Sequence, residues 1–138
     1  MFYQNPESLP YFEILKQARY ELARLLYSED PDLFRIFPIG CCNYSARVVA
    51  AETGFEEVGG FFVPRRENHA WNYDQERRLY VCLTLRQYGD YPEIAVMHVT
   101  TRLLRKDKKL TDTQRQMKLD DVDRVIASLR RIRKAADA

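Results

Sequence analysis

The sequence predicts an α+β fold, with N-terminal helices packed on a small antiparallel β-sheet and a further helix at the C-terminal end. Three observations support this. Apolar residues recur at helical spacing from Ser8 to about Tyr27 and again from near Asp120, and between Gly54 and Leu104 the period falls to two. The strands also follow one another without intervening helical segments, which excludes a βαβ alternation and its parallel sheet.

In the first helix Ile14, Leu15, Ala18, Leu22, Leu25 and Leu26 form the apolar stripe, with Glu13, Lys16, Gln17, Arg19 and Arg24 between them. Pro31 and Pro38 interrupt helix in the connector that follows, leaving room for one short turn over Asp32 to Phe37, and Gly40 ends it. Cys41 to Thr53 is the second helix and Gly54 its stop. On that helix Cys41, Ser45 and Val48 share one face, Glu52 continues it, and Cys42 points about 100° away and is read as packing. "FEEVGGFFVP", "HAWNY", "RLYVCLTLRQY" and "IAVMHVTTRLL" read as four strands, with "GDYPE" as a turn. Thr111 and Gln114 suit a capping box, and Val122, Val125, Ile126, Leu129 and Ile132 form the stripe of the last helix.

At 138 residues the chain is expected to build one domain, divided into an N-terminal helical segment (1–39), the cysteine helix with the sheet (40–101) and a basic C-terminal helical segment (102–138). A content of 46% hydrophobic and 30% charged residues is that of an ordinary globular protein, and no apolar run is long enough for a membrane span. The first residues lack the layout of a secretory signal, so a cytoplasmic location with reduced cysteines is the expectation. Between Arg102 and Lys134 there are 12 Lys/Arg against 5 Asp/Glu, a local balance of +7 that leaves −5 for the other residues. These cations alternate with aspartates and apolar positions and include no aromatic stacking residue, a pattern that argues for a solvated helix face and against nucleic acid.

Three residues carry the candidate chemistry. Cys41 stands at a helix N-terminus, where the dipole and free N–H groups favour a thiolate. His69 opens the "HAWNY" strand and can serve as its base. If Asp74 to Arg77 is the hairpin turn, paired residue numbers sum to 151, so that Tyr73 faces Arg78, Trp71 faces Tyr80 and His69 faces Cys82. Trp71, Tyr73 and Tyr80 then pack beside the hairpin, and His98 is an ordinary strand residue.

"GCCNYSA" resembles the start of the active-site helix in papain-like cysteine peptidases, and "NHAW" is similar to the stretch around their catalytic histidine. The 28-residue interval from Cys41 to His69 looks more like the compact papain-like and transglutaminase-like proteins with Cys, His and Asp in that order. "CLTLRQY" is similar to their "Asp-Leu-Thr" strand with its following "Gln-Phe", and Cys82 stands where the Asp would be. The resemblance covers Gly40 to Tyr88. It implies a papain-like or transglutaminase-like fold, a Cys41 nucleophile, a His69 base and a third-residue position at Cys82, for which Asn72 or Asp74 are alternatives. Oxyanion support would come from Gln87 or backbone N–H groups. It implies no cofactor.

Two functions follow as expectations. One is a thiol-dependent hydrolase or acyl transferase acting on a peptide, amide or acyl substrate. The other is a catalytically inactive scaffold that binds a protein partner. A thiol orients an imidazole poorly, and loss of the orienting Asp in a serine-protease triad costs about 10⁴ in kcat. Cys41, His69 and Cys82 with His98, Asp74 or water could hold zinc, but no Cys-x-x-Cys pair supports it, and no metal site is assigned.

Overall fold

The computed structural model describes residues 2–26, 36–109 and 119–137. Most of the connector after the first helix and the Thr111–Gln114 capping box lie outside these residues. Three α-helices, α1 (Phe12–Leu25), α2 (Cys42–Thr53) and α3 (Leu119–Asp137), cover one face of a five-stranded antiparallel sheet. Its strands are β1 (Glu56–Phe62), β2 (Glu67–Asp74), β3 (Leu79–Cys82), β4 (Ala95–His98) and β5 (Leu104–Lys106), in the order β4-β3-β2-β1-β5. The α+β class expected from the sequence is the class observed. No helix among the described residues is long and apolar enough to cross a membrane.

The helices form where the stripes predict them. α1 buries Leu15, Ala18 and Leu22, and α3 buries Val122, Val125 and Leu129 against it and α2. One charge sits inside this contact. Glu21, 3% exposed, accepts from Ser128 Oγ at 2.6 Å and Arg24 Nη2 at 2.7 Å, and the arginine bond holds its carboxyl below the usual range. Glu52, at the end of the Cys41 face of α2, meets Arg133 of α3. That is the polar partner its position required. Gly54 ends α2 in the left-handed region (φ 78°), its N–H on the Ala50 carbonyl.

Strand alternation divides the core in two. Leu79, Val81, Leu83 and Val96 face the helices, in one cluster with Leu15, Leu22, Cys41, Val48 and Val125. Val58, Phe62, Trp71, Cys82, Met97 and Leu104 face the other way, in a second cluster closed by Leu85 and Tyr88. The second cluster is enclosed because the sheet curls. β4 and β5 lie at opposite edges, four strand spacings or about 19 Å apart in a flat sheet, yet only residues 99–103 join them, and these include a turn from Thr101 N–H to the His98 carbonyl. The single fourth strand expected over "IAVMHVTTRLL" is therefore two strands on opposite edges.

Two other expectations are corrected. Tyr73 pairs with Tyr80 and Asp74 with Leu79, so paired numbers sum to 153 and the turn is residues 75–78. Asp74 stays in the strand and accepts the Arg77 N–H at 3.3 Å, while Arg78 closes the turn with φ 58°. No glycine or asparagine marks that left-handed position. The third strand also ends at Cys82, and Leu85–Tyr88 forms a 3₁₀ turn whose i, i+3 spacing brings Leu85 and Tyr88 together in the curl.

At Gly60 the curl leaves no room for a side chain. A Cβ there would overlap the Arg105 carbonyl oxygen and lie 2.7 Å from Trp71 Cη2. Gly60→Ala is expected to cost at least about 2 kcal/mol by overpacking, measured as a lower urea midpoint, whereas Gly89→Ala, where a Cβ would lie 3.7 Å from Tyr91, perturbs only its own φ and leaves the Trp71 environment unchanged in fluorescence.

Candidate functional site

β2 is the central strand, third from either edge, and is buried on both faces. Its even positions point to the helices. Asn72 donates from Nδ2 to the Ala46 carbonyl of α2 at 2.8 Å, and Asp74 accepts from Tyr11 Oη at 3.0 Å. Neither third-residue alternative therefore turns toward His69, because a strand exchanges faces at every residue.

The odd positions enter the curl. His69 is fully buried, with Nε2 3.1 Å from Cys82 Sγ and Nδ1 3.2 Å from Tyr88 Oη. Cys82 Sγ is in turn 3.7 Å from Thr84 Oγ1. Trp71 stacks near the imidazole at 6.0 Å between centroids, and Tyr88 stacks on Phe62 at 4.0 Å. His69 and Cys82 thus meet, although the register differs from the one expected. The difference is two residues, which preserves the face, so Cys82 becomes a diagonal rather than a direct neighbour and still reaches the ring.

The chain Thr84, Cys82, His69, Tyr88 can be fully satisfied with every member neutral. Either Tyr88 donates to Nδ1 and Nε2–H faces sulfur, or the thiol donates to Nε2 and Nδ1–H faces the phenol oxygen. Burial enforces that neutrality. It lowers the His69 pKa to about 3, raises that of Cys82 to about 11, and pushes the Tyr88 phenol well up.

The two adjacent cysteines differ in burial from what the helical wheel suggested. Cys41 is the residue before the helix, completely buried among the helix-side apolar residues, with its thiol 3.5 Å from the Ile39 carbonyl. The structure does not bring it to either ring nitrogen of His69. Cys42 is the first helical residue and is partly exposed. The backbone amides of Ala70, Asn43 and Cys42 itself act to lower its pKa, and a charge on it would raise the pKa of Cys82 and Tyr88. Burial nevertheless outweighs those N–H groups, and the Cys42 pKa is raised. The sequence placed Cys41 at the dipole correctly in chain position, but one residue of offset at a helix start changes direction by about 100°. Gly40, in the left-handed region with φ 73°, stands directly before Cys41.

Gln87 lies on the 3₁₀ turn beside Tyr88, and its Nε2 is a buried donor with no hydrogen-bond partner among the described residues; the same is true of Trp71 Nε1. No group of three or more His, Cys, Asp or Glu among the described residues is arranged to hold a metal ion. His98 ends β4, exposed.

Fold and site together define a class: an α+β protein with a helical layer on a curled antiparallel sheet and a buried Cys–His–Tyr hydrogen-bond chain inside the curl. No family model, curated protein or solved structure matches the chain.

Unfolded histidine binds a proton near pH 6.5, whereas folded His69 stays neutral down to about 3. Between those values the unfolded state binds more protons, so stability falls with falling pH. Lowering the pH from about 7 to 5, above most carboxylate titration, is expected to cost about 2 kcal/mol in urea unfolding, and His69→Gln should flatten that dependence. Cys82 acts in the opposite direction: its folded pKa of about 11 exceeds the unfolded thiol's, so its contribution is complete below about pH 9 and is lost as pH rises toward 11.

Proposed function

We propose that this chain is a catalytically inactive scaffold of the compact papain-like or transglutaminase-like type that works as a protein-binding module. The observation that carries this reading is the occupancy of His69: both ring nitrogens are engaged by neutral groups, Cys82 and Tyr88, and burial keeps the ring uncharged. A catalytic base needs one nitrogen facing the nucleophile and a partner that stabilises the imidazolium once the proton arrives. Here the Tyr88 hydroxyl holds the first position and a thiol whose pKa is raised to about 11 holds the second.

A second reading, a thiol-dependent acyl hydrolase or transferase, is favoured by one observation. Cys42 is the first residue of α2 and partly exposed, so its thiol stands at a helix N-terminus whose backbone amides act to lower its pKa. In that reading Cys42, not Cys41, attacks the acyl carbon, a thioester forms, and the leaving group departs with the proton that His69 accepted. It requires the Leu85–Tyr88 turn to swing away and free Nδ1.

Alkylation with iodoacetamide, followed residue by residue by mass spectrometry, separates the two. Cys41 and Cys82 are expected to label only on unfolding, and Cys42 to react more slowly than free cysteine at about pH 7.5, its rate still rising beyond about pH 9. His69→Gln should leave the Cys42 rate within about two-fold. A Cys42 rate that levels off below about pH 7, and that falls in His69→Gln, would establish the enzyme reading instead.

A further inference from the structure

The outer corner of the sheet, on the strand edge away from β4, carries a cleft of about 470 Å³ lined by Phe61, Val63, Arg66 and Arg105. We infer that this cleft and the adjoining edge of β5 bind an extended acidic peptide segment bearing an apolar or aromatic side chain. The inference rests on the binding-module reading and names its partner.

The cations come first. Arg19, Arg24, Arg47, Arg77, Arg86, Arg124 and Arg133 each have a carboxylate within 4 Å. Arg65, next in sequence to Arg66, donates to the Tyr88 carbonyl at 3.0 Å. Arg66 and Arg105 are exposed and make no ion pair among the described residues, yet both line one cleft. Arg66 is held there with φ 53°, its N–H on the Val63 carbonyl at 3.2 Å. Glycine takes that conformation without strain and arginine does not.

The apolar wall comes next. Val63 is 40% exposed, an uncovered β-branched side chain beside Phe61, over whose ring the Arg105 guanidinium sits at 5.4 Å. Two forked cations around an apolar floor match a carboxylate next to a hydrophobic side chain.

The edge supplies the third element. At the other edge of the sheet, β4 is capped by Phe2, which bridges to Met97, and by Tyr3, whose N–H meets the Val96 carbonyl at 2.7 Å. β5 pairs with β1 on one side and with no strand among the described residues on the other. The Asp107 N–H points to Gly59 of β1, so by alternation the backbone groups of Leu104 and Lys106 point outward. A peptide strand satisfies both their donors and their acceptors. A nucleic-acid backbone has phosphates but no N–H row to offer the carbonyls, which favours peptide over RNA.

The test is fluorescence polarisation with a labelled peptide of alternating glutamate and phenylalanine, titrated with the full chain. Binding is expected to be salt-sensitive, to weaken about ten-fold in each of Arg66→Glu and Arg105→Glu, and to be lost in the pair. Arg66→Gln and Arg105→Gln, which remove charge without reversing it, guard against a folding defect and should weaken binding in the same order. Lys134→Glu, at the end of α3, should leave it unchanged. A counterpart peptide of alternating lysine and phenylalanine, or a glutamate peptide N-methylated on one edge, should bind at least about ten-fold more weakly. The inference is overturned if the arginine variants bind like the parent, if the lysine peptide binds as well, or if single-stranded RNA or anionic vesicles displace the acidic peptide. Thiol labelling decides the reading of the His69 pocket and this titration decides the surface, so one can fail without the other.

Discussion

The structure depends on one strand being wanted on both faces. β2 runs between β1 and β3, and its residues alternate between two demands. Asn72 and Asp74 spend their polar groups on the helical side, one on the Ala46 carbonyl of α2 and the other on Tyr11 just before α1. His69 and Trp71 fill the interior of the curl. A slip of one residue would put a carboxylate among Phe62, Met97 and Leu104 and an indole against the helix backbone. Unpaired burial of that kind costs several kcal/mol, so parity along β2 is strongly enforced. The two-residue difference in the hairpin register is tolerated because it keeps parity.

The curl follows from the short β4–β5 connection, and the chemistry of the interior follows from the curl. Closing the sheet around Trp71 requires the missing side chain at Gly60, and it removes water from His69, Cys82 and Tyr88 together. Groups that could ionise in a cleft are here held neutral by desolvation, the histidine by a lowered pKa and the thiol and phenol by raised ones. Their hydrogen bonds mutually satisfy polar atoms that have lost water. Cys42 is the one cysteine that is not fully enclosed.

Charge is organised on the same plan. Half of the described arginines lie within reach of carboxylates, including the α2–α3 contact between Glu52 and Arg133 and the α1 pair of Glu21 and Arg24. The excess of positive charge in the last third of the sequence is thus partly consumed in holding α3 against its neighbours. Arg66 and Arg105, which make no ion pair among the described residues, line one cleft where the sheet ends.

The sequence by itself determined the α+β class, the helices and their buried stripes, the existence of the β2–β3 hairpin and the meeting of His69 with Cys82. These are properties of local period and parity, which survive errors of a residue or two in a turn. It did not reveal the split of "IAVMHVTTRLL" between opposite edges, because pairing partners far apart in the chain leave no local signal. It did not reveal that Tyr88 closes on Nδ1, because "RLYVCLTLRQY" reads as one continuous strand, whereas Leu85–Tyr88 is a 3₁₀ turn. Nor could it decide between Cys41 and Cys42, since a helix start displaced by one residue redirects both side chains by about 100°. Which cysteine is inside, and whether the histidine is open or engaged, was decided only when helices and curled sheet closed on each other. Burial and direction belong to the assembled core, not to any one segment of it.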